Sequence, residues 1–295
     1  MTDKNLSEEA VRLGRLELLQ QQGINPYPSS CQKTHTIAQA RELSVDSNVV
    51  LVGRLVSSRE MGKLCFAHLK DFSGKIQLAI SEKDLGKDKF KFFTKNFDIG
   101  DFLEIKGKIF ITHKGEISVL VKEFKIIAKA LLPMPEKFHG LNDIETRYRQ
   151  RYLDLLSNEE SMKIAVARSL LVKELRNYFN DKGFYEVETP ILQSLYGGAN
   201  AKPFVTHHNA LGADLFLRIA PELYLKRLIV GGFEKVYEVA KCFRNEGIDN
   251  NHNPEFTQIE FYWAYANYQD LMNLMEDLLP RLIKAMNLPL KMTVG

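Results

Sequence analysis

The spacing of hydrophobic positions changes period along the chain, and each change marks an element. Near the start, Val11, Leu16, Leu18 and Leu19 supply apolar positions of a short helix. Ser7 is placed to cap it, Glu8 and Glu9 suit its first turn, and Gly23 stops it. Asn25-Pro26-Tyr27-Pro28 then forces extended or turn backbone. From Val49 the period becomes two. VVLVGRLVSSRE, LCFAHLKD, KIQLAIS, DFLEIKGKIFIT and EISVLVKEFKII read as strands. They are punctuated by turns at Met61-Gly62-Lys63, Phe72-Ser73-Gly74-Lys75 and His113-Lys114-Gly115. A helical insert, roughly Lys83 to Asn96, falls between the third and fourth strands.

Five strands with a helix in that place predict a small Greek-key barrel of the OB-fold type, a scaffold that binds single-stranded nucleic acid on a basic, aromatic-studded face. Leu132-Pro133-Met134-Pro135 marks its exit, and a connector dense in Arg and Tyr (Arg147, Tyr148, Arg149, Arg151, Tyr152) follows. A long amphipathic helix is expected over about Ser161 to Lys182, with Ile164, Leu171, Leu175 and Phe179 as its buried stripe and Gly183 as its stop. Short strands, a helix in PELYLKRLIVG, a strand pair at Val236–Phe243 and Glu255–Trp263, and a last helix from about Tyr268 complete the pattern. The domain reading is a helical extension over 1–48, the barrel over 49–132, a linker over 133–160 and a second domain over 161–295.

Composition adds three constraints. With 295 residues, 45% hydrophobic and 26% charged, the chain has material for about two cored domains. Neither a signal-peptide core nor an apolar run long enough to span a bilayer is visible, and Cys31, Cys65 and Cys242 are too far apart for a CxxC pair. A reduced, cytoplasmic protein is the expectation. Charge is uneven: Val49 to Lys129 holds 16 Lys and Arg against 10 Asp and Glu, so this stretch stands at +6 in a chain of +3. Either a polyanionic partner or a solvated lysine-rich surface accounts for that.

The stretch KVYEVAKCFRNEGIDNNHNPEFTQIEFYWAYA is where chemistry concentrates. Read with period two, Phe256, Gln258, Glu260 and Tyr262 share one face of the second strand, while Thr257, Ile259, Phe261 and Trp263 share a core face. On the first strand Arg244 and Glu246 share a face, and an arginine can hold a phosphate or carboxylate through two parallel hydrogen bonds. An ordinary hairpin with charges toward water is the alternative. His207-His208 is a poor metal pair, because neighbours on a strand face opposite ways.

Phe243-Arg244-Asn245-Glu246, a loop, and His252-Asn253-Pro254-Glu255-Phe256-Thr257-Gln258-Ile259-Glu260 resemble motif 2 of the class II aminoacyl-tRNA synthetases. Gly183-Phe184-Tyr185-Glu186-Val187-Glu188-Thr189-Pro190 is similar to their motif 1, which ends in a dimer-interface proline, here Pro190. YRQRYLDLL, GGANAKPFVTHHNALGADLFLRIAPELYLKRL and FRNEG…HNPEFTQIE resemble the bacterial-type lysyl-tRNA synthetases in particular. The fold class implied is α+β multidomain: an N-terminal OB-fold β-barrel, then an incomplete class II synthetase antiparallel sheet flanked by helices. The resemblance implies that Arg244 grips the ATP α-phosphate and the lysine carboxylate, that Phe256 stacks on adenine, and that Glu246, His252 and Asn253 contact the nucleotide. It gives Glu222 and Gly198 to the α-ammonium of lysine, and Glu260 and Tyr262 to the ε-ammonium. A buried cation needs such partners. The competing reading of Glu222 is a surface pair with Lys226.

In the barrel, the resemblance implies anticodon reading by Phe66, as a stacking ring, with Arg54, Gln77 and Glu116 as hydrogen-bonding residues. Phe66 as a plain core residue is the alternative. The implied activity is ATP-dependent attachment of lysine to tRNA(Lys) through lysyl-adenylate, by a homodimer, with magnesium neutralising the triphosphate. The family's third motif and magnesium-binding carboxylates are not found before Gly295, so magnesium ligands are expected beyond that residue. The expectation is a C-terminally truncated product, fragment or incomplete record whose 295 residues alone do not complete adenylation. Two rival readings stand beside it: an RNA-binding derivative without catalysis, and an aspartate- or asparagine-type synthetase, against which the acid Glu260 speaks.

Overall fold

The structure, a computed structural model, describes residues 7–134, 141–249 and 251–291. It divides into two compact units, residues 1–157 and 158–295. Pro135 of the expected barrel exit lies outside the described residues.

In the first unit, α1 (Glu8–Gln21) is capped by Ser7, whose hydroxyl accepts from the Ala10 N–H. Its buried positions differ from the apolar pattern. Leu19 is fully buried, but Val11 and Leu18 are exposed and Arg12 is buried instead. The Arg12 guanidinium donates to the carbonyls of Ile99 and Ala130 at 3.0 and 3.2 Å, so backbone carbonyls and not a hydrophobic pocket receive that side chain. A second short helix, α2 (Ile37–Arg41), carries a Thr36–Gln39 capping box.

Strands β1 (Asn48–Met61), β2 (Leu64–Asp71) and β3 (Gly74–Ser81) form a meander. Helices α3 (Glu82–Leu85) and α4 (Lys87–Asn96) fill the expected insert, and β4 (Phe102–Ile111) and β5 (Ile117–Ala128) follow. The barrel closes in the order β1-β2-β3-β5-β4. Alternate residues point inward: Leu51 and Leu55, Cys65, Ala67 and Leu69, Ile76, Leu78 and Ile80 all join one core. Phe93 of α4 plugs one end, edge-on to Phe97 and Phe124. A β-bulge in β1 between Leu55 and Ser57 shifts its alternation, so Ser57 and Arg59 face outward beyond it. At Gly107 a Cβ would stand 2.3 Å from the Leu120 carbonyl oxygen, which requires glycine where β4 crosses β5. The stretch read as a linker carries α5 (Ile144–Arg149) and α6 (Arg151–Ser157). Its arginines have a use there: Arg147 and Arg151 both bond the buried carboxylate of Asp154.

The second unit begins with α7 (Glu159–Asp181), two residues earlier than expected. Leu175 and Phe179 are buried, but Ile164 is 64% exposed and leaves the predicted stripe, because the second unit's core gathers only around the helix's last turns. Next come β6 (Tyr185–Glu186), β7 (Leu192–Gln193), β8 (Val205–His208), β9 (Ala213–Leu217), α8 (Glu222–Val230), β10 (Lys235–Phe243), β11 (Glu255–Trp263) and α9 (Tyr268–Ala285). One sheet has the order β11-β10-β6, with β6 parallel to β10, and the other the order β7-β9-β8. Leu274, Leu278 and Leu282 of α9 join Tyr178, Phe179, Phe184 and Tyr237 in a core. Ile259, Phe261 and Trp263 of β11 pack against that core, which leaves the opposite face of β10 and β11 for polar residues. Among the described residues no helix is long and apolar enough to cross a membrane.

Candidate functional site

The register of β10 against β11 decides which side chains meet. Cys242 opposes Phe256, Ala240 opposes Gln258, Glu238 opposes Glu260 and Val236 opposes Tyr262. Directly opposed residues share a face, so these eight line the side away from the core. The strand ends at Phe243, one residue short of the expected arginine. Arg244 therefore stands just beyond β10 and not on it. It is held in line because its N–H donates to the Pro254 carbonyl at 2.8 Å. Its guanidinium carbon lies 5.0 Å from the Phe256 ring centroid, a cation–π contact that sets charge beside a flat apolar surface. Arg244 Nε is buried with no protein partner.

Four residues beyond Phe256 on β11, Glu260 repeats that condition with opposite charge. Its Oε1 accepts from Gln258 Nε2 at 3.3 Å, and its Oε2 is buried without a partner. Burial raises its pKa first, and the nearby carboxylates of Glu222 and Glu238 raise it further. The Tyr262 hydroxyl is pushed up to about 12 by burial, Glu260 and Glu222, so it stays protonated. Burial likewise lifts the Cys242 thiol to about 11, which makes it inert.

Glu222 begins α8, where the helix dipole favours an anion. It does pair with Lys226, at 2.5 Å, through Oε1. Gly198 reaches it from the loop side with φ +86°, and a Cβ there would lie 2.8 Å from Glu222 Cβ and 3.5 Å from its Oε2. Gly198, Glu222, Glu260 and Tyr262 thus converge, while Arg244 and Phe256 form a second pair on the same sheet face. Glu246 is exposed and accepts from the Lys202 N–H at 3.2 Å, in place of sharing a strand face with Arg244. His252 is exposed and turned to Asp249 in its own loop, and Asn253 is also exposed. Pro190 is exposed, and its carbonyl accepts from Gln193 Nε2.

The pattern along the chain did not disclose a buried network beneath this face. Arg218 and Glu238, 3% and 4% exposed, form an ion pair at 2.6 Å. Thr189 Oγ1 donates to the other Glu238 oxygen at 2.7 Å. An acid inside the apolar run Val236-Tyr237-Glu238-Val239-Ala240 was the available signal.

The barrel offers a second candidate face. Phe66 lies outside the core, between inward Cys65 and Ala67. Across the sheet it opposes Arg59 on β1 and Ala79 on β3. The next row runs Ser57, His68, Gln77, Ser118 across four strands. Gln77 Nε2 donates to Ser118 Oγ at 3.2 Å, and Glu116 Oε1 lies 3.6 Å from His68 Nε2. Phe66, Gln77 and Glu116 are brought together, but Arg54 is not. It lies before the bulge, five residues from Arg59, with its guanidinium over the Phe102 ring at 4.3 Å. Burial lowers its pKa.

Comparison with known proteins gives two family matches. Residues 143–293 match the family described as tRNA synthetases class II (D, K and N), and residues 49–127 match the OB-fold nucleic acid binding domain. The lysine–tRNA ligase of Carboxydothermus hydrogenoformans is 52% identical over 272 residues, covering 91% of this chain and 56% of that protein. That of Syntrophomonas wolfei is 49% identical over 290 residues, covering 97% and 59%, and that of Staphylococcus aureus 47% identical, covering 94% and 58%. The chain therefore spans a little over half the length of these relatives.

Proposed function

The chain belongs to the class II tRNA synthetases of the D, K and N group, and from that premise we propose that it supplies the tRNA-reading barrel and the ATP- and lysine-binding face of a lysine–tRNA ligase. One observation carries the reading: an arginine nitrogen and a carboxylate oxygen, both buried and both unpartnered, stand on the same sheet face with an aromatic ring beside the arginine. Unpaired buried charges are costly. A ligand with an anionic group at one end and an ammonium at the other satisfies both.

In this reading adenine stacks on Phe256, and Glu246, His252 and Asn253 form the rim of the nucleotide site. Arg244 bridges the ATP α-phosphate and the lysine carboxylate. A carboxylate oxygen attacks the α-phosphorus, the bond to pyrophosphate breaks, and lysyl-adenylate forms; Arg244 offsets the negative charge that gathers on the phosphorus oxygens. The lysyl group then passes to the 3′-terminal ribose of tRNA(Lys). Glu222, beside Gly198, takes the α-ammonium, and Glu260 with the neutral Tyr262 hydroxyl takes the ε-ammonium. An aspartate substrate would meet acids where it needs cations, which favours lysine. A homodimer through the region of Pro190 and a cytoplasmic location belong to the same proposal.

Magnesium accompanies ATP in this family. Among the described residues no group of three or more His, Cys, Asp or Glu could hold a metal ion.

For the barrel, Phe66 is the stacking ring, with Gln77 and Glu116 reading base edges and Arg59, not Arg54, as the cation beside them. The closing test for the amino-acid site is calorimetric titration with lysine. Glu260→Gln should weaken lysine at least tenfold while leaving ATP affinity nearly unchanged. Equal lysine affinity in the two proteins would refute the assignment.

A further inference from the structure

Glu238 and Glu260 are direct cross-strand neighbours on one face, an arrangement that is unfavourable for like charges. They do not share a fate. Glu238 Oε1 accepts from Arg218 Nη1 at 2.6 Å and from the Thr189 N–H at 3.3 Å, and its Oε2 accepts from the Thr189 hydroxyl at 2.7 Å. Glu260 keeps a buried oxygen with no partner. Arg218 is held as firmly. Its Nε donates to the Lys241 carbonyl at 2.8 Å and its Nη1 to the Thr189 carbonyl at 3.1 Å. The Arg218 backbone joins Ile191 on one side and Phe243 on the other. Three chain segments thus meet at one buried guanidinium.

Stability is a weak reason for such a network, since a buried ion pair is often no better than apolar packing of equal volume. Its geometry serves a different purpose. Arg218 is paired with the carboxylate that stands directly across the strands from Glu260, which brings a cation beside that residue. Any slack in the network would let the guanidinium turn to the unpartnered oxygen and satisfy it internally.

We propose that Arg218, Glu238 and Thr189 form a positioning clasp: Glu238 occupies the guanidinium, keeps it off Glu260, and so reserves the free Glu260 oxygen for the side-chain ammonium of the substrate. Glu238 contacts no substrate in this scheme. It acts through Arg218, and the inference rests on Glu260 being the ammonium acceptor.

A double-mutant cycle read by calorimetry separates the two ideas. Lysine and ATP are titrated separately into the wild-type chain, Glu238→Gln, Glu260→Gln and the double variant. The glutamine at 238 retains the hydrogen-bonding shape but not the charge, which frees Arg218 for Glu260. Lysine Kd should rise tenfold or more on Glu238→Gln in the wild-type background. In the Glu260→Gln background the same change should move it less than twofold, with ATP Kd steady throughout. An equal rise in both backgrounds, or none in the first, overturns the clasp while leaving the ammonium assignment intact. No effect of Glu260→Gln alone overturns the assignment itself. If Glu238→Gln does not fold, Thr189→Val and Thr189→Ser decide: the serine keeps the hydroxyl that holds Glu238 and should keep wild-type lysine affinity, and the valine should lose severalfold. Equal lysine affinity in those two variants would end the proposal.

Discussion

Glu260 shows how surroundings change an ordinary carboxyl, leaving it one buried oxygen without a partner. Burial and the carboxylates of Glu222 and Glu238 raise its pKa above the ordinary 4.5. The folded chain therefore binds this proton more tightly than the unfolded chain. Its contribution to stability is present at low pH and is lost as pH rises through the raised value. An ammonium bound at Oε2 reverses the preference, because it favours the carboxylate. Lysine binding should then release a proton at pH values below the raised pKa, and affinity should climb with pH up to it, by up to about tenfold for each pH unit. Titrations in buffers of different ionisation heat would count the proton, and Glu260→Gln should remove both the release and the slope. A lysine affinity indifferent to pH in wild type would contradict this account. Tyr262, held near 12, adds no titration in that range. Period-two reading was enough to set Phe256, Glu260 and Tyr262 on one side, since strand alternation is a local property. Glu238 escaped it because only the register with β11 brings that acid beside Glu260, and register is a pairing of distant segments.

At the scale of the element, the barrel strand β2 shows both the reach of alternation and its limit. Cys65, Ala67 and Leu69 point into the core, so Phe66 must point out. A large ring on that outer face, in a row with Arg59 and Ala79, suits a stacked base better than a packing role. Phe66→Ala should weaken binding of an RNA hairpin carrying the anticodon loop by about 1–3 kcal/mol, the range for one lost stacking partner. Thermal melting should move little, because no core side chain is removed. A large loss of stability with unchanged RNA affinity would return Phe66 to the core reading. Arg54 stands apart from Phe66 and Gln77 for a specific reason. The bulge after Leu55 inserts a residue into β1, and nothing in VVLVGRLVSSRE announces it. Counting from the strand's start puts Arg54 outward, which it is, but beyond the bulge it is Arg59 that stands opposite Phe66. The long helix α7 failed in a related way. Its spacing fits a stripe from Ile164 to Phe179, yet among the described residues the second unit's apolar core takes in the later turns and leaves Ile164 out, and the partners a helix meets are not written in its own sequence.

Across the whole molecule, charge should separate the two kinds of recognition proposed. The barrel stretch from Val49 to Lys129 stands at +6 in a chain of net +3, so the remainder is acidic. A basic surface reading a phosphate backbone releases counterions on binding, and its affinity must fall as salt rises. The proposed ammonium site should behave otherwise: Glu260 is half withdrawn from solvent, and screening acts weakly on buried pairs. RNA and lysine binding to this same chain should therefore respond differently to ionic strength. If the barrel neutralises about four phosphates of a single-stranded loop, raising salt from roughly 50 to 200 mM should weaken the RNA hairpin on the order of fifty-fold. Lysine should weaken by no more than about twofold over the same range. Arg59→Gln should flatten the RNA slope by about one phosphate's share, because one counterion fewer is released, and Arg54→Gln should leave it unchanged, since that guanidinium is spent on the Phe102 ring. Equal slopes for the two variants would mean that the basic face runs the full length of β1, and that the bulge does not set its boundary.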